Sequence, residues 1–159
     1  MQERWAGSST PFREDWESFS VDEARGAGPY HLYPLFYLER FVIAEVTLES
    51  RGRGVYDVTA SIKEVLRSSG KKRGLVLVYS LDPLCRLVTL EYDADLVEDL
   101  MSLISGLKAR NPYVIASIFP QSIVLPFEES LLLGPFQQVC LLDLNESTGT
   151  RRVVAEVVE

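Results

Sequence analysis

The sequence predicts an α+β fold built on a mainly antiparallel sheet with two to three packed helices. Strand and helix patterns alternate up to about residue 119, and four short strand patterns then follow one another without a helix between them. This order is typical of α+β folds, whereas a doubly wound parallel sheet alternates strands and helices throughout. The chain of 159 residues suits one domain with a sizeable core.

Four strand patterns lie in the first part of the chain. Residues 41–50 alternate between two sets of side chains, which predicts a half-buried strand, and HLYPLFYL reads as a further strand before it. Residues 74–81 are almost continuously apolar, so we expect a strand covered on both faces. Residues 85–92 form a short strand pattern after Pro83.

Two helices are predicted between and after these strands. The first spans about residues 56–70, where Asp57 or Thr59 can cap its start and Gly70 ends it. The second has apolar side chains that recur at helical spacing and predict one packed face. These are Leu96, Val97, Leu100, Leu103, Ile104 and Leu107.

Residues 111–119 fit either a third helix or a strand. Asn111 followed by Pro112 suits a helix start, but the segment is β-branched enough for a strand, and periodicity does not decide. The remaining chain gives the four strand patterns SIVLPF, SLLLG, QQVCLLDLN and RRVVAEVVE.

Composition sets the domain organisation and the expected compartment. Residues 1–28 form a polar N-terminal arm interrupted by aromatics, and residues 29–159 form the single domain. The net charge of −7 and the lack of clustered Lys and Arg disfavour a nucleic-acid partner. No apolar run reaches the ~20 residues of a membrane span, and no signal sequence is visible, so we expect a cytoplasmic protein with no membrane partner.

The few metal-binding and nucleophilic residue types give no site by themselves. Cys85 and Cys140 each lie in an apolar strand pattern and are expected to be buried free thiols. His31 is the single histidine, and it supports neither a zinc cluster nor a catalytic triad.

Six segments in order, from about Glu39 to the C-terminus, resemble the YjbQ-like family of secondary thiamine-phosphate synthases. They are RGRGVYDVT, SSGKKRGLVLVYS, LEYDADLVEDL, ASIFPQSIVLPF, LLLGPFQQVCLLDLN and RRVVAEVVE. The resemblance implies one α+β domain whose antiparallel sheet curls as a half-barrel with helices packed on it. It also implies a homotrimer with a pocket near the subunit interface, and formation of thiamine phosphate from a pyrimidine diphosphate and a thiazole phosphate.

This chain departs from the family at the pocket. The family builds its pocket around histidines, and Asp82 and Tyr113 stand at two of those positions. The segment with a further family histidine is missing, because SGLKARNPY joins the two helices directly. Pro135 and Phe136 replace the family's Thr and Trp. Glu91, Asp93, Asp95, Gln137 and an Arg at 151 or 152 are retained.

These comparisons select the candidate site residues. Glu91 and Asp82 are the catalytic candidates, and the ligand-binding candidates are Tyr113, Gln137, Arg151 and Arg152. Each also has a structural reading. Asp82-Pro83 suits a turn, Asp93 and Asp95 suit a helix start, the arginines suit an interface or solvent, and Gln137 can satisfy backbone groups.

The loss of histidine favours loss of catalysis, since histidine titrates near neutral pH and binds metals as a neutral base. We therefore expect a degenerate pocket in a homotrimer that is non-catalytic or binds a small ligand. The alternative is a thiamine-phosphate synthase-like enzyme with a remodelled acidic site that acts on a small phosphorylated metabolite. No metal site or cofactor is expected, although Asp82 with Glu91, Asp93 or Asp95 can offer oxygen ligands to a hard divalent cation such as Mg²⁺.

Overall fold

The computed structural model describes residues 32–38 and 41–159, with side chains from Ile43 onward. The described elements are β1 (Leu32–Leu38), β2 (Phe41–Ser50), β3 (Gly54–Asp57), α1 (Thr59–Ser69), β4 (Arg73–Ser80), β5 (Cys85–Glu91), α2 (Ala94–Gly106), α3 (Pro112–Ala116), β6 (Ser122–Glu128), β7 (Ser130–Leu131), β8 (Gln137–Asp143) and β9 (Gly149–Val158). The N-terminal arm (1–28) and His31 lie outside the described residues.

The strands form two antiparallel sheets, which confirms the predicted α+β class. The large sheet has the order β1-β2-β9-β4-β6-β7, and the small sheet has the order β3-β8-β5. Every described strand pair is antiparallel, including the long central pair of β2 and β9. Neither sheet closes into a barrel, so the fold is two packed sheets with helices.

A first core cluster fills the space between the two sheets. Apolar side chains on the inner face of the large sheet meet those on one face of the small sheet, and α1 packs among them through Ile62, Val65 and Leu66. Cys85 of β5 belongs to this cluster and has no exposed surface. Val139 and Leu141 are the members of the cluster that lie on β8. Burial of these side chains stabilises the fold by roughly 1.5–3 kcal/mol for each large one.

A second core cluster lies on the other face of the small sheet. Because side chains alternate along a strand, Cys140 and Leu142 point away from the first cluster and pack against α2 and α3. Ile104 of α2 and Ala116 of α3 are fully buried there. The small sheet is therefore covered on both faces, and the large sheet on one.

Side-chain hydrogen bonds explain where the helices begin. Asp57 Oδ1 accepts a hydrogen bond from the N–H of Thr59 at 2.8 Å, so Asp57 serves the start of α1. Asp93 Oδ1 accepts from the N–H of Asp95 at 2.9 Å and caps α2, as one reading predicted. Asn111 caps the segment that periodicity left open, which forms the short helix α3.

The end of α1 also follows the prediction. Gly70 has φ of 68°, a left-handed conformation that glycine adopts without a Cβ penalty, and its N–H donates to the carbonyl oxygen of Arg67. None of the helices within residues 41–159 is both long and apolar enough to cross a membrane.

Two predictions about covered faces are wrong for the single chain. The β4 strand buries Val76 and Val78, but Leu75 and Tyr79 point outward and are 48% and 40% exposed. On α2, Leu96 and Leu103 are exposed although they share the helical spacing of the buried Ile104. Spacing identified the helix, but the apolar stripe is wider than the surface that the small sheet covers.

Candidate functional site

Four polar residues join the two sheets at one end of the molecule. Asp143 ends β8 in the small sheet and is fully buried, and its Oδ2 accepts hydrogen bonds from Ser50 Oγ (2.6 Å) and Arg151 Nε (2.7 Å). Ser50 ends β2 and Arg151 lies in β9, so both donors belong to the large sheet. Asn145 donates to Asp143 Oδ1 from its backbone N–H (2.8 Å) and its side-chain amide (2.7 Å). We call these four residues the inter-sheet network.

The alternation of side chains along β9 decides between the two arginines. Arg151 points inward to Asp143, and its guanidinium also donates to the carbonyl oxygen of Ser147 at 2.6 Å. Arg152 points outward, is exposed, and lies 3.8 Å from a carboxylate oxygen of Glu45. Arg151 and Arg152 are therefore neighbours on one strand, but only Arg151 belongs to the inter-sheet network.

The environment of the network fixes the charges within it. Burial alone would raise the pKa of Asp143, but hydrogen bonds from Ser50, Arg151 and Asn145 lower it below its ordinary value. Burial likewise opposes the charge on Arg151, but the bond to Asp143 holds the pKa of Arg151 above its ordinary value. The pair is thus ionised at neutral pH and satisfied by hydrogen bonds.

Asp82 joins this network at its edge. Its Oδ1 accepts from the N–H of Leu84 at 2.8 Å and from the side-chain amide of Asn145 at 3.3 Å. The first bond is that of a turn in which an aspartate closes on its own backbone two residues on. The Asp82 carbonyl also accepts from the N–H of Cys85 at 3.1 Å. The carboxylate therefore holds the turn between β4 and β5.

The two thiols are buried next to polar groups but are not activated. Burial, together with the nearby charges of Asp143 and Asp82, raises the pKa of Cys85 well above its ordinary value. Burial and the charge of Asp57 raise the pKa of Cys140 to about 12. Both cysteines are free, as predicted, and neither is a thiolate nucleophile at neutral pH.

An open cleft of about 320 Å³ lies beside the network. Asn145 is common to both, and Glu146 and Arg53 form an ion pair at the cleft with a nitrogen–oxygen distance of 3.2 Å. The remaining lining is mainly apolar: Leu84, Ala109, Pro112, Ile115 and Leu144. The titratable lining groups are one arginine and the glutamate that pairs with it, so the described lining offers no free acid–base group.

The other acidic candidate lies at the opposite end of the small sheet. Glu91 is the last residue of β5, where it is exposed and faces Gln137 across the strand pair. Cys85, the first residue of the same strand, is about 20 Å away at ~3.4 Å per residue. The structure therefore does not bring Glu91 together with Asp82.

The remaining candidates divide between the two ends. Tyr113 lies on α3 next to the cleft residue Pro112, and its side chain is half exposed. Gln137 lies at the Glu91 end, where its Oε1 accepts from the N–H of Gly134 at 3.0 Å. This bond to a backbone group within one loop fits the structural reading of Gln137.

The acids predicted as possible ligands of a hard cation do not converge. Asp93 caps α2 and Asp95 lies in its first turn, at the Glu91 end of β5 and away from Asp82. In the part of the chain that the structure describes, no group of three or more His, Cys, Asp or Glu side chains is placed to hold a metal ion.

Sequence reasoning missed Asp143, Asn145 and Ser50. The available signal was DLN at the end of an apolar strand pattern, because an Asp and an Asn after a buried strand indicate polar groups that need partners. Arg86 was also missed. It is nearly buried, and its Nε donates to the carbonyl oxygen of Ala116 at 2.7 Å, which ties β5 to the end of α3.

Two antiparallel sheets with one face of α1 packed into the core between them, and an open cleft at their joined end, define a small α+β domain of the two-sheet class. The sequence profile of the family described as UPF0047 protein YjbQ-like matches residues 44–159. The chain therefore belongs to the YjbQ-like family, and the resemblance seen in the sequence is confirmed. A search among curated proteins found no match.

Solved structures support the same fold. A YbjQ-like protein of unknown function from Sulfolobus solfataricus P2 is 19% identical with a TM-score of 0.69, over 75% of this chain and 97% of its own. A YjbQ/UPF0047 protein from Clostridium acetobutylicum is 18% identical with a TM-score of 0.66, over 72% and 98%. A hypothetical protein from Aeropyrum pernix K1 is 23% identical with a TM-score of 0.63, over 74% and 97%. At these identities the likeness shows the fold alone.

Proposed function

We propose that this YjbQ-like protein is a non-catalytic homotrimer that binds a small ligand or serves a structural role. The observation that carries the proposal is the state of Asp82, which stands where the resemblance expects a histidine. Its carboxylate accepts hydrogen bonds from Leu84 and Asn145 and holds a turn. A group committed to a turn is poorly placed to transfer a proton, since a general base must reach the proton that it takes.

The cleft adds a second argument against catalysis. Arg53 and Glu146 pair with each other, and the buried thiol of Cys85 has a raised pKa. Within the described residues, no buried side-chain nitrogen or oxygen lacks a hydrogen-bond partner. Such complete pairing is usual in folded proteins and leaves no unexplained buried polar group in this part of the chain.

A small phosphorylated molecule is the ligand class that we propose for the cleft. Its volume of about 320 Å³ lies at the lower end of the range of ligand pockets. Lys108 and Arg110 flank the lining residue Ala109, and both are exposed. They supply positive charge near the apolar floor, which suits a phosphate on an organic group.

The assembly proposal rests on the outer face of the large sheet. Residues opposite each other in neighbouring strands point to the same face, so one apolar patch extends over β6, β4 and β9. This outer apolar patch consists of Leu75, Leu77, Tyr79, Val124, Pro126, Val154 and Val158, and Glu156, which pairs with Leu77, is the charged residue within it. Patches of this kind on antiparallel sheets are typical of interfaces between subunits.

The catalytic part of the proposal is tested with the two thiamine precursors. The full-length protein is incubated with the pyrimidine diphosphate and the thiazole phosphate, with and without Mg²⁺, and thiamine phosphate is measured. We expect no turnover above the protein-free rate, and no stoichiometric zinc by elemental analysis of fresh protein. Turnover that disappears in Glu91→Gln would overturn the proposal and favour the enzyme with a remodelled acidic site.

The assembly is tested by native mass spectrometry of the full-length chain. We expect a trimer that dissociates in the double variant Leu75→Glu/Tyr79→Glu, because two charges then enter the outer apolar patch. Leu96→Glu/Leu103→Glu is the matched control, since it also places two charges on exposed apolar residues, but these lie on α2. A trimer that survives the double variant, or that the control alone disrupts, places the interface elsewhere.

A further inference from the structure

We propose that the cleft at the joined end of the two sheets binds the chain's own N-terminal segment Arg13–Phe19, REDWESF. The cleft residues that carry the argument are Ala109, Pro112, Ile115 and Leu144. This inference does not depend on catalysis or on the trimer, and the segment and the proposed phosphorylated ligand are alternative occupants of the same cleft.

The chemistry of the segment matches that of the cleft. In REDWESF, Trp16 is surrounded by Glu14, Asp15 and Glu17, and Phe19 ends the run. The cleft offers an apolar floor for aromatic rings, and the exposed Lys108 and Arg110 next to Ala109 in the sequence can pair with the acids. An aromatic anchor in an apolar pocket, surrounded by opposite charges, is the usual arrangement of a specific contact.

The basic side chains at the cleft are available for such pairs. Lys108 and Arg110 lie on either side of the lining residue Ala109 and are exposed. Neither has an ion-pair partner among residues 43–159, in contrast to Arg53, which pairs with Glu146. Two exposed cations on either side of a cleft-lining residue, unpaired among the described residues, favour an acidic occupant over an uncharged one.

The path of the chain brings the segment to this end of the molecule. Because β1 runs antiparallel to β2 and Leu32 pairs with Val46, the Leu32 end of β1 points toward Ser50 and the turn that carries Arg53. From Val46 to Ser50 is about 13 Å along the strand. Twelve residues separate Phe19 from Leu32, and they can span up to about 40 Å, so the segment can reach the cleft.

The segment lies outside the part of the chain that the family shares. The family profile matches from residue 44, and the related structures are matched over nearly their whole length by about three quarters of this chain. The acidic aromatic segment Arg13–Phe19 thus precedes the part of the chain that matches the family profile.

The test uses the fluorescence of the full-length chain. Trp5 and Trp16 are the two tryptophans, so Trp5→Phe leaves Trp16 as the single reporter. We expect Trp16 to show a blue-shifted emission maximum and severalfold weaker quenching by acrylamide than a free tryptophan amide. Adding Lys108→Glu/Arg110→Glu should return both signals to those of exposed tryptophan, because the basic edge then repels the segment.

The control is Lys63→Glu/Lys72→Glu, which makes the same change in charge at two exposed lysines outside the cleft. Protection of Trp16 should persist in this control. It should also return when Glu14→Lys/Asp15→Lys is combined with Lys108→Glu/Arg110→Glu, since the charges are then exchanged. Equal unfolding midpoints among the variants exclude a general loss of fold.

Three results would overturn the inference: full exposure of Trp16 in the starting protein, protection that the cleft variant leaves unchanged, or equal loss in the control. A disulfide test gives an independent answer. Trp16→Cys with Ala109→Cys should form a cross-link on mild oxidation, whereas Trp16→Cys with Leu103→Cys should not. The reverse pattern places the segment on α2 and contradicts the inference.

Discussion

At one end of the small sheet the carboxylate of Asp143 is fully buried and accepts four hydrogen bonds, whereas at the other end Glu91 is exposed beside Gln137. The first end joins the two sheets, and the second faces solvent. Resemblance to the family drew attention to Glu91, but the structure makes Asp143 the more engaged acid. Whether an acid here is a buried hydrogen-bond acceptor or an exposed side chain thus depends on which end of the small sheet carries it.

We call the Asp143 end of the small sheet the closed end and the Glu91 end the open end. The largest effect of a substitution is expected at the closed end. Asp143→Ala leaves Arg151 buried without its partner, so the free energy of unfolding should fall by about 3–5 kcal/mol. Urea denaturation measures this change, and Asp143→Asn provides a second variant if the first does not fold. The control is Glu146→Ala in the exposed pair with Arg53, where the change should stay within about 1 kcal/mol. Equal losses in both variants would contradict the account.

The reactivity of cysteine thiols gives a second comparison, between buried positions and the open end. Cys85 lies opposite Asp143 across the strand pair, and burial raises the pKa of its thiol. Cys140 has a pKa raised from 9.0 to about 12, which reduces its thiolate fraction at pH 8 by about 1000-fold.

We therefore expect almost no reaction of native protein with a disulfide reagent until it unfolds. A cysteine introduced at the open end by Glu91→Cys should react at the rate of a free thiol. Rapid labelling of Cys85 in native protein would show that the Asp143 end opens, and rapid labelling of Cys140 would show that the second core cluster opens.

Acid should weaken the closed end. The pKa of Asp143 is lowered in the folded protein, so its contribution to stability is complete above the unfolded value of about 3.9 and is lost as pH falls through the folded value. The urea concentration at the unfolding midpoint of the wild type should therefore decrease as the pH is lowered below about 4. The slope should be smaller in Asp143→Asn, which cannot titrate, and an unchanged slope would remove Asp143 as the cause.

Much of the fold was predictable because local patterns recorded it. The alternation in β2, the acids and amide at the helix starts, and Gly70 each carry a short-range physical signal. The faces were harder to predict. The apolar runs of β4 and α2 predicted more cover than the described residues supply, because a run of apolar residues does not say which other segment or chain covers it.

The site was less predictable than the fold. The sequence identified Asp82 and an arginine at 151 or 152, but the choice of Arg151 depends on the register of β9 with β2. The bond from Ser50 to Asp143 joins residues 93 positions apart, which no local pattern records. The separation of Asp82 from Glu91 similarly follows from the length of β5, once both ends of that strand are known.

The most direct test of the difference between the two ends is the pair Asp82→Ala and Glu91→Ala in urea denaturation of the full-length protein. Asp82→Ala removes the acceptor for Leu84 N–H and for Asn145, so the free energy of unfolding should fall by about 1–3 kcal/mol. Glu91→Ala should change it by no more than about 0.5 kcal/mol, as expected for an exposed side chain. Equal effects, or a larger loss for Glu91→Ala, would contradict the structural role that we assign to Asp82.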